Sequence, residues 1–124
     1  MIGATMNEDV KRALAQDRTI DITTIGRTSG KPRRIENWFH RLDDRVYMTG
    51  SPGRRDWYAN LVGNADFTFH LKETTAADLP ARATPITDAA AKRAILTRIM
   101  ATIGELDNLN EWVERSPLVE VSFV

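Results

Sequence analysis

Thr19-Ile20-Asp21-Ile22-Thr23-Thr24-Ile25-Gly26-Arg27-Thr28-Ser29-Gly30-Lys31-Pro32-Arg33-Arg34-Ile35 is the stretch on which the fold turns. Its first seven residues alternate and are rich in threonine and isoleucine. That pattern predicts a strand with Ile20 and Ile22 on one side and Asp21 and Thr23 on the other. Thr28 to Pro32 is turn chemistry. The chain then returns as a second strand, Arg33 to Leu42, with Ile35 and Phe39 on one face and Trp38 and His40 on the other. Asp43-Asp44 turns it again into a third strand, Arg45 to Thr49, with Val46 and Met48 opposite Tyr47. The expectation is an antiparallel meander.

The flanks add helices and further strands. Asn7 to Gln16 reads as a short helix capped by Asn7, with Glu8 and Asp9 in the first turn. Asp56 to Val62 reads as another, with Asp56 as cap and Gly63-Asn64 as stop. Asp66 to Lys72 alternates Phe67, Phe69 and Leu71 against Thr68 and His70. Ala76 to Pro85 is a further strand, and Pro80 should confine it to an edge or a bulge. Asp88 to Ile103 is the clearest helix, with the stripe Ala91, Ile95, Ile99 widened by Leu96, Met100 and Ile103. Gly104 stops it. Asn110 to Glu114 is a helical turn and Leu118 to Val124 a last strand. Five or six strands with a few helices predict a single domain over 1–124: mainly β with helices, a small antiparallel barrel.

Two glycine-containing basic loops stand out, Gly26 to Arg34 and Gly50-Ser51-Pro52-Gly53-Arg54-Arg55-Asp56-Trp57. Glycine lets the backbone approach a ligand. Arginine grips phosphate or carboxylate with a charge-assisted fork. The chain carries 17 basic and 17 acidic residues, yet Arg27 to Arg55 holds 8 basic against 3 acidic. That local surplus favours an anionic small molecule. A helix opening at Trp57 beside Arg54 and Arg55 adds a second anion-binding feature. Arg41 and Arg45 flank a turn and read equally well as solvated charges.

Other chemistries find little support. Without cysteine there is no disulfide, thiolate site or cysteine nucleophile, a composition compatible with a reducing cytoplasm. No run approaches the roughly 18 apolar residues of a membrane span, and the first ten residues do not resemble a signal peptide. Zero net charge argues against a general nucleic-acid binder. His40 and His70 lack a neighbouring carboxylate at ligand spacing, so a structural role outweighs metal binding. Ser51 is not on a hydrolase elbow. Trp38, Trp57 and Trp112 read first as core or rim aromatics.

Three blocks in order carry a resemblance: Thr24-Ile25-Gly26-Arg27-Thr28-Ser29-Gly30-Lys31-Pro32-Arg33, then Thr49-Gly50-Ser51-Pro52-Gly53, then Trp57-Tyr58-Ala59-Asn60-Leu61 with the strand Asp66 to Leu71. The chain resembles the deazaflavin-dependent nitroreductase family, roughly over residues 19–123 and specifically over 24–72. The resemblance implies a split β-barrel of the FMN-binding-protein type and coenzyme F420, a 5-deazaflavin with a phosphate and an oligoglutamate tail. It places Arg27 and Arg33 at positions that grip phosphate and tail carboxylates. Ser51 and Gly53 fall at the strand end against the ring, Trp57 and Asn60 in the helix that follows, and Arg54 and Arg55 in the loop leading to it. The implied reaction is hydride transfer to a quinone, enone or nitro compound, with Ser51, Arg54 and Arg55 as candidates for stabilising charge on the acceptor.

Three departures stand against the family pattern. The loop between Gly53 and Trp57 is short, Thr28 stands where a lysine often does, and no tyrosine follows Tyr58. Trp112 could wall the acceptor pocket but has no phenolic proton. The alternatives are a non-catalytic binder of fatty acid or haem and an FMN-dependent reductase. The expected protein is cytoplasmic, a monomer or homodimer, and binds small molecules.

Overall fold

The computed structural model describes residues 6–124. It is built on one seven-stranded antiparallel sheet in the order β2-β1-β5-β6-β7-β4-β3. The strands are β1 (Thr19–Ile25), β2 (Pro32–Trp38), β3 (His40–Leu42), β4 (Arg45–Thr49), β5 (Asp66–Leu71), β6 (Ala77–Pro85) and β7 (Leu118–Phe123). The helices are α1 (Glu8–Gln16), α2 (Asp56–Gly63), α3 (Ala89–Ile103) and α4 (Leu109–Arg115), the last preceded by a 3-10 turn, Leu106–Asn108.

The quoted stretch folds as read. β1 and β2 pair from Thr19↔Trp38 to Ile25↔Pro32. Gly30 takes φ 69° in the connecting loop, a region costly for any residue with a Cβ. The expected second strand, Arg33 to Leu42, is corrected: it divides at Phe39. β2 pairs with β1 while β3 pairs with β4, so the two halves form opposite edges of the sheet. Phe39 is the pivot. It is buried, packs edge-on against Phe69 at 5.3 Å, and donates its N–H to the Arg18 carbonyl at 3.0 Å. Consecutive residues at opposite edges require the sheet to curl, and the result is a split barrel rather than a simple meander. Ile35, expected to share a face with Phe39, is exposed.

Burial follows the pleat elsewhere. Ile20 and Ile22, Val46 and Met48, Phe67 and Phe69, and Val119 and Val121 fill the inside of the curl, closed by Val10, Ala13 and Leu14 of α1 and by Trp57 and Leu61 of α2. Tyr47 and Leu118 point to the opposite face and are buried there under Leu96, Ile99 and Met100 of α3. β4 and β7 are therefore covered on both sides. The stripe on α3 is centred on those three residues, and Ala91, expected to belong to it, is exposed.

Local signals explain the element ends. Asn7 caps α1 by accepting from Val10 N–H at 2.8 Å, and Asp88 caps α3 by accepting from Ala91 N–H at 2.8 Å. Gly104 ends α3 at φ 77°. α2 differs from expectation: Arg55, not Asp56, is its N-cap, with no side-chain cap. The expectation that Pro80 confines its strand to an edge or a bulge is corrected: β6 is an interior strand between β5 and β7, and Pro80 sits opposite Thr68, one residue beyond the Ala81↔Phe123 end of the β7 ladder. The Pro80 carbonyl accepts from Val124 N–H at 3.0 Å, on the side where proline has no N–H to offer. The missing donor thus leaves no ladder partner unsatisfied.

Candidate functional site

Two loops and one helix shape the site. The Gly26–Lys31 loop is closed by Gly26 N–H to the Lys31 carbonyl at 2.9 Å and Gly30 N–H to the Gly26 carbonyl at 2.8 Å. It is fastened to α2 by Asn60, which is only 5% exposed. Asn60 Oδ1 accepts from the Arg27 backbone N–H at 3.0 Å and from its guanidinium at 3.4 Å, while Nδ2 donates to Thr24 Oγ1 at 3.1 Å. Asn60 therefore sets where Arg27 sits.

The Gly50–Arg55 loop is also tied down. Buried Thr49 donates its hydroxyl to the Pro117 carbonyl, and Gly53 donates its N–H to Arg115 at 3.0 Å. Gly53 has φ 123°, open to glycine and strained for other residues. The Arg55 guanidinium folds back to donate to the carbonyls of Ser51 at 2.9 Å and Arg54 at 3.0 Å. It acts as a staple of the loop that carries it.

Around these loops lie three recesses. A hairpin groove of about 480 Å³ takes in Arg27, Ser29, Arg33, Asp56, Trp57 and Asn60. A basic recess of about 710 Å³ shares Arg27 with it and adds Gly53, Arg54, Arg55, Lys92 and Arg115. An aromatic recess of about 630 Å³ lies between Trp38, His40 and Ser51 on one side and Ile103, Glu105 and Trp112 on the other. The sequence-expected residues are thus divided. Arg27, Arg33, Trp57 and Asn60 share the groove; Gly53, Arg54 and Arg55 face the basic recess; Ser51 belongs to the aromatic one.

The charges are unevenly satisfied. Arg27 lies 3.7 Å from Asp56, Arg34 pairs with Asp21 at 3.1 Å and Arg45 with Glu120 at 3.2 Å. Arg41 donates to the Asp43 carbonyl at 2.8 Å and lines none of the three recesses. The side chains of Arg33 and Arg54 have no hydrogen-bonded or ion-paired partner among the described residues. Lys92 is partly buried, and desolvation pushes its ammonium pKa down, so an anion beside it would be favoured. His40, at the aromatic recess, is pushed down to about 4 by burial and by the nearby Arg18 cation, so it is neutral at ordinary pH.

Sequence reasoning did not anticipate Thr24, Lys92, Arg115 or His40 at these surfaces. Thr24 and His40 sit on strands whose facing depends on register. Lys92 and Arg115 come from helices distant in sequence from the loops they join. His70 also corrects the reading that it lacks a carboxylate: Asp78, its partner in the β5–β6 register, meets Nδ1 at 2.7 Å, and Thr23 Oγ1 meets Nε2 at 2.7 Å. With both ring nitrogens engaged, His70 is a strut between strands.

The profile of the F420H(2)-dependent quinone reductase family matches residues 4–122. The chain belongs to that family. The expected kinship with F420-dependent reductases on a split barrel holds. Among solved structures, an F420 reductase matches with TM-score 0.67 and 13% identity, covering 96% of each chain. A conserved hypothetical protein from Mycobacterium tuberculosis matches with TM-score 0.75 and 14% identity, over 96% of this chain and 81% of that one. The haem storage protein HutZ from Vibrio cholerae matches with TM-score 0.71 and 16% identity, over 93% and 87%. At these identities the structures share the fold with this member of the F420H(2)-dependent quinone reductase family. No curated protein matches the chain. Among the described residues no helix is long and apolar enough to cross a membrane.

Proposed function

We propose that the protein is a reductase that holds coenzyme F420 across the hairpin groove and the basic recess and reduces a small electron-poor acceptor, with quinones the first class to test. The observation that carries this reading is the pair of recesses meeting at Arg27, with Arg33 and Arg54 unpaired and Lys92 partly desolvated. A ligand with a phosphate and several carboxylates matches that cation set. FMN, with a single phosphate, would leave more of it unmet.

When bound, the reduced deazaflavin supplies the hydride. Arg33 and Arg27 would bind the anionic groups, with Asn60 fixing the Arg27 backbone. Gly53 gives close backbone approach, and Ser51 offers a hydroxyl between loop and aromatic recess. Arg55, bonded to two carbonyls, keeps the loop in shape and presents its positive charge to the site. Quinone reduction takes up one hydride and one proton. His40, neutral at ordinary pH, carries no extra proton to give.

Steady-state oxidation of reduced F420 by a neutral naphthoquinone tests the reading. Turnover that falls in Arg33→Ala through KM, with kcat less affected, is the expected result. Absence of both turnover and F420 binding would reject it. A second reading, retention of haem, has one observation in its favour: a neutral imidazole, His40, faces a recess walled by Trp38 and Trp112. A Soret band that persists through purification and is lost in His40→Ala would support it instead.

A further inference from the structure

The chain has four lysines, and Lys92 is set apart from the other three. Lys11 stands 3.6 Å from Glu8, and Lys72 is held between Asp21 at 2.7 Å and Glu36. Lys31 is exposed on the hairpin loop and lines none of the three recesses. Lys92 is half-buried in the wall of the basic recess, and its ammonium has no hydrogen-bonded or ion-paired partner among the described residues. Three features of its surroundings disfavour the charged amine. Tyr58, Val62 and Pro117 give the recess apolar surface, and desolvation alone lowers the Lys92 pKa. Arg27, Arg54, Arg55 and Arg115 line the same recess; against these five cations stand Glu114, Asp56 at 3.7 Å from Arg27 and Glu111 at 3.8 Å from Arg115, so positive charge remains in surplus. Lys92 also closes the first turn of α3, at the positive end of the helix dipole, where the Asp88 carboxylate is engaged by Ala91 N–H at 2.8 Å. A lysine desolvated beside other cations is a nucleophilic amine.

We propose that Lys92 is an acylation site whose donor is a small acyl phosphate, held through its phosphate by the arginines of the basic recess. Arg54, with no internal partner, offers its guanidinium fork to the phosphate oxygens. The Lys92 Nζ lone pair adds to the acyl carbon. The bond from that carbon to the bridging oxygen breaks, and inorganic phosphate leaves with the electron pair and with the proton lost by nitrogen. The products are a neutral amide and phosphate, and nothing is oxidised or reduced. The acylation itself stands apart from the reductase reading. Its consequence rests on that reading: the amide deletes one cation from the recess that holds F420, so an acyl donor turns cofactor affinity down.

The test treats the purified full chain with acetyl phosphate and follows acetylation of each lysine by peptide mass spectrometry. Lys92 should react at least about five-fold faster than Lys31, the other lysine without an ion pair, because donor and amine share one recess. Its rate should saturate with acetyl phosphate, fall when inorganic phosphate competes, and fall several-fold in Arg54→Ala. A neutral acetylating reagent, the succinimidyl ester of acetic acid, should show no protection by phosphate. Lys92 reacting no faster than Lys31, or a Lys92 rate unmoved by both phosphate and Arg54→Ala, would overturn the proposal. Calorimetric titration with F420 keeps the two claims apart. Binding that weakens several-fold in Lys92→Gln and is retained in Lys92→Arg supports the regulatory consequence, and equal binding by the two variants removes it. Preferred acetylation of Lys92 in a protein that does not bind F420 removes the reductase reading and leaves the site. F420 binding without that preference removes the site alone.

Discussion

Replacing Asn60 by alanine removes one side chain that fastens the Gly26–Lys31 loop to α2. Its amide joins the backbone of Arg27 at 3.0 Å to the hydroxyl of Thr24 at 3.1 Å, and Thr24 is only 1% exposed. Losing the side chain forfeits these two neutral hydrogen bonds and a longer one from the Arg27 guanidinium at 3.4 Å, and leaves a buried hydroxyl without its donor. An unsatisfied buried group costs about 1–3 kcal/mol, and a made bond contributes about 1 kcal/mol net. Together these give a loss of about 3 kcal/mol, reduced if water enters the space. For a chain of this size that is a fall in Tm of roughly 10 °C.

Urea unfolding with an unchanged m-value is the assay. The Thr24→Val variant in the same series completes a double-mutant cycle, and a coupling of about 1 kcal/mol between the two positions is expected. F420 affinity should fall in parallel, because the Arg27 backbone loses its fixed place. A stability loss under about 0.5 kcal/mol, the range of an ordinary surface substitution, would refute the view that Asn60 is the fastener.

Other expectations follow from the same geometry. Arg33→Ala should leave stability within about 0.5 kcal/mol, since its guanidinium has no internal partner, yet weaken F420 binding by calorimetry roughly ten-fold or more, the loss of a charged hydrogen bond. Gly53→Ala, at φ 123°, should cost about 1–2 kcal/mol in chemical unfolding; a neutral result would mean the loop relaxes freely. His40 has its folded pKa lowered from 6.5 to about 4. The unfolded state therefore binds the extra proton first, so its contribution to stability is complete above about pH 6.5 and is lost as pH falls toward 4, by up to roughly 3 kcal/mol. Unfolding midpoints of wild type and His40→Gln across that range check it: the wild type should lose more, and parallel curves would contradict the assignment. Carboxylates held low by cationic partners, such as Asp21 beside Lys72, add their own loss only at more acid pH.

Much of this was legible because local chemistry and tertiary packing agree. Alternation in Thr19–Ile25, the Gly30 turn, the Asn7 cap and the Gly104 stop each act within a few residues, and each appears where its chemistry places it. The break at Phe39 was not legible. Alternation continues through it, and only the need to fill the barrel beside Phe69 divides the strand. Arg27 and Asn60 were readable as a motif, but their bond to one another was not, because 33 residues separate them. Arg55 reads as a free cation in sequence and proves to be bonded to two carbonyls of its own loop. Lys92, Arg115 and the far wall of the aromatic recess depend on how α3 and α4 pack over β4 and β7, which sequence spacing does not encode.

The most direct measurement is calorimetric titration of the purified protein with F420, alongside Arg33→Ala at matched ionic strength. The account requires saturable binding that is markedly weaker in the variant while its unfolding curve stays superimposed on the wild type. No binding up to hundreds of micromolar, an affinity weaker than about −5 kcal/mol, or equal binding by both proteins, would contradict it.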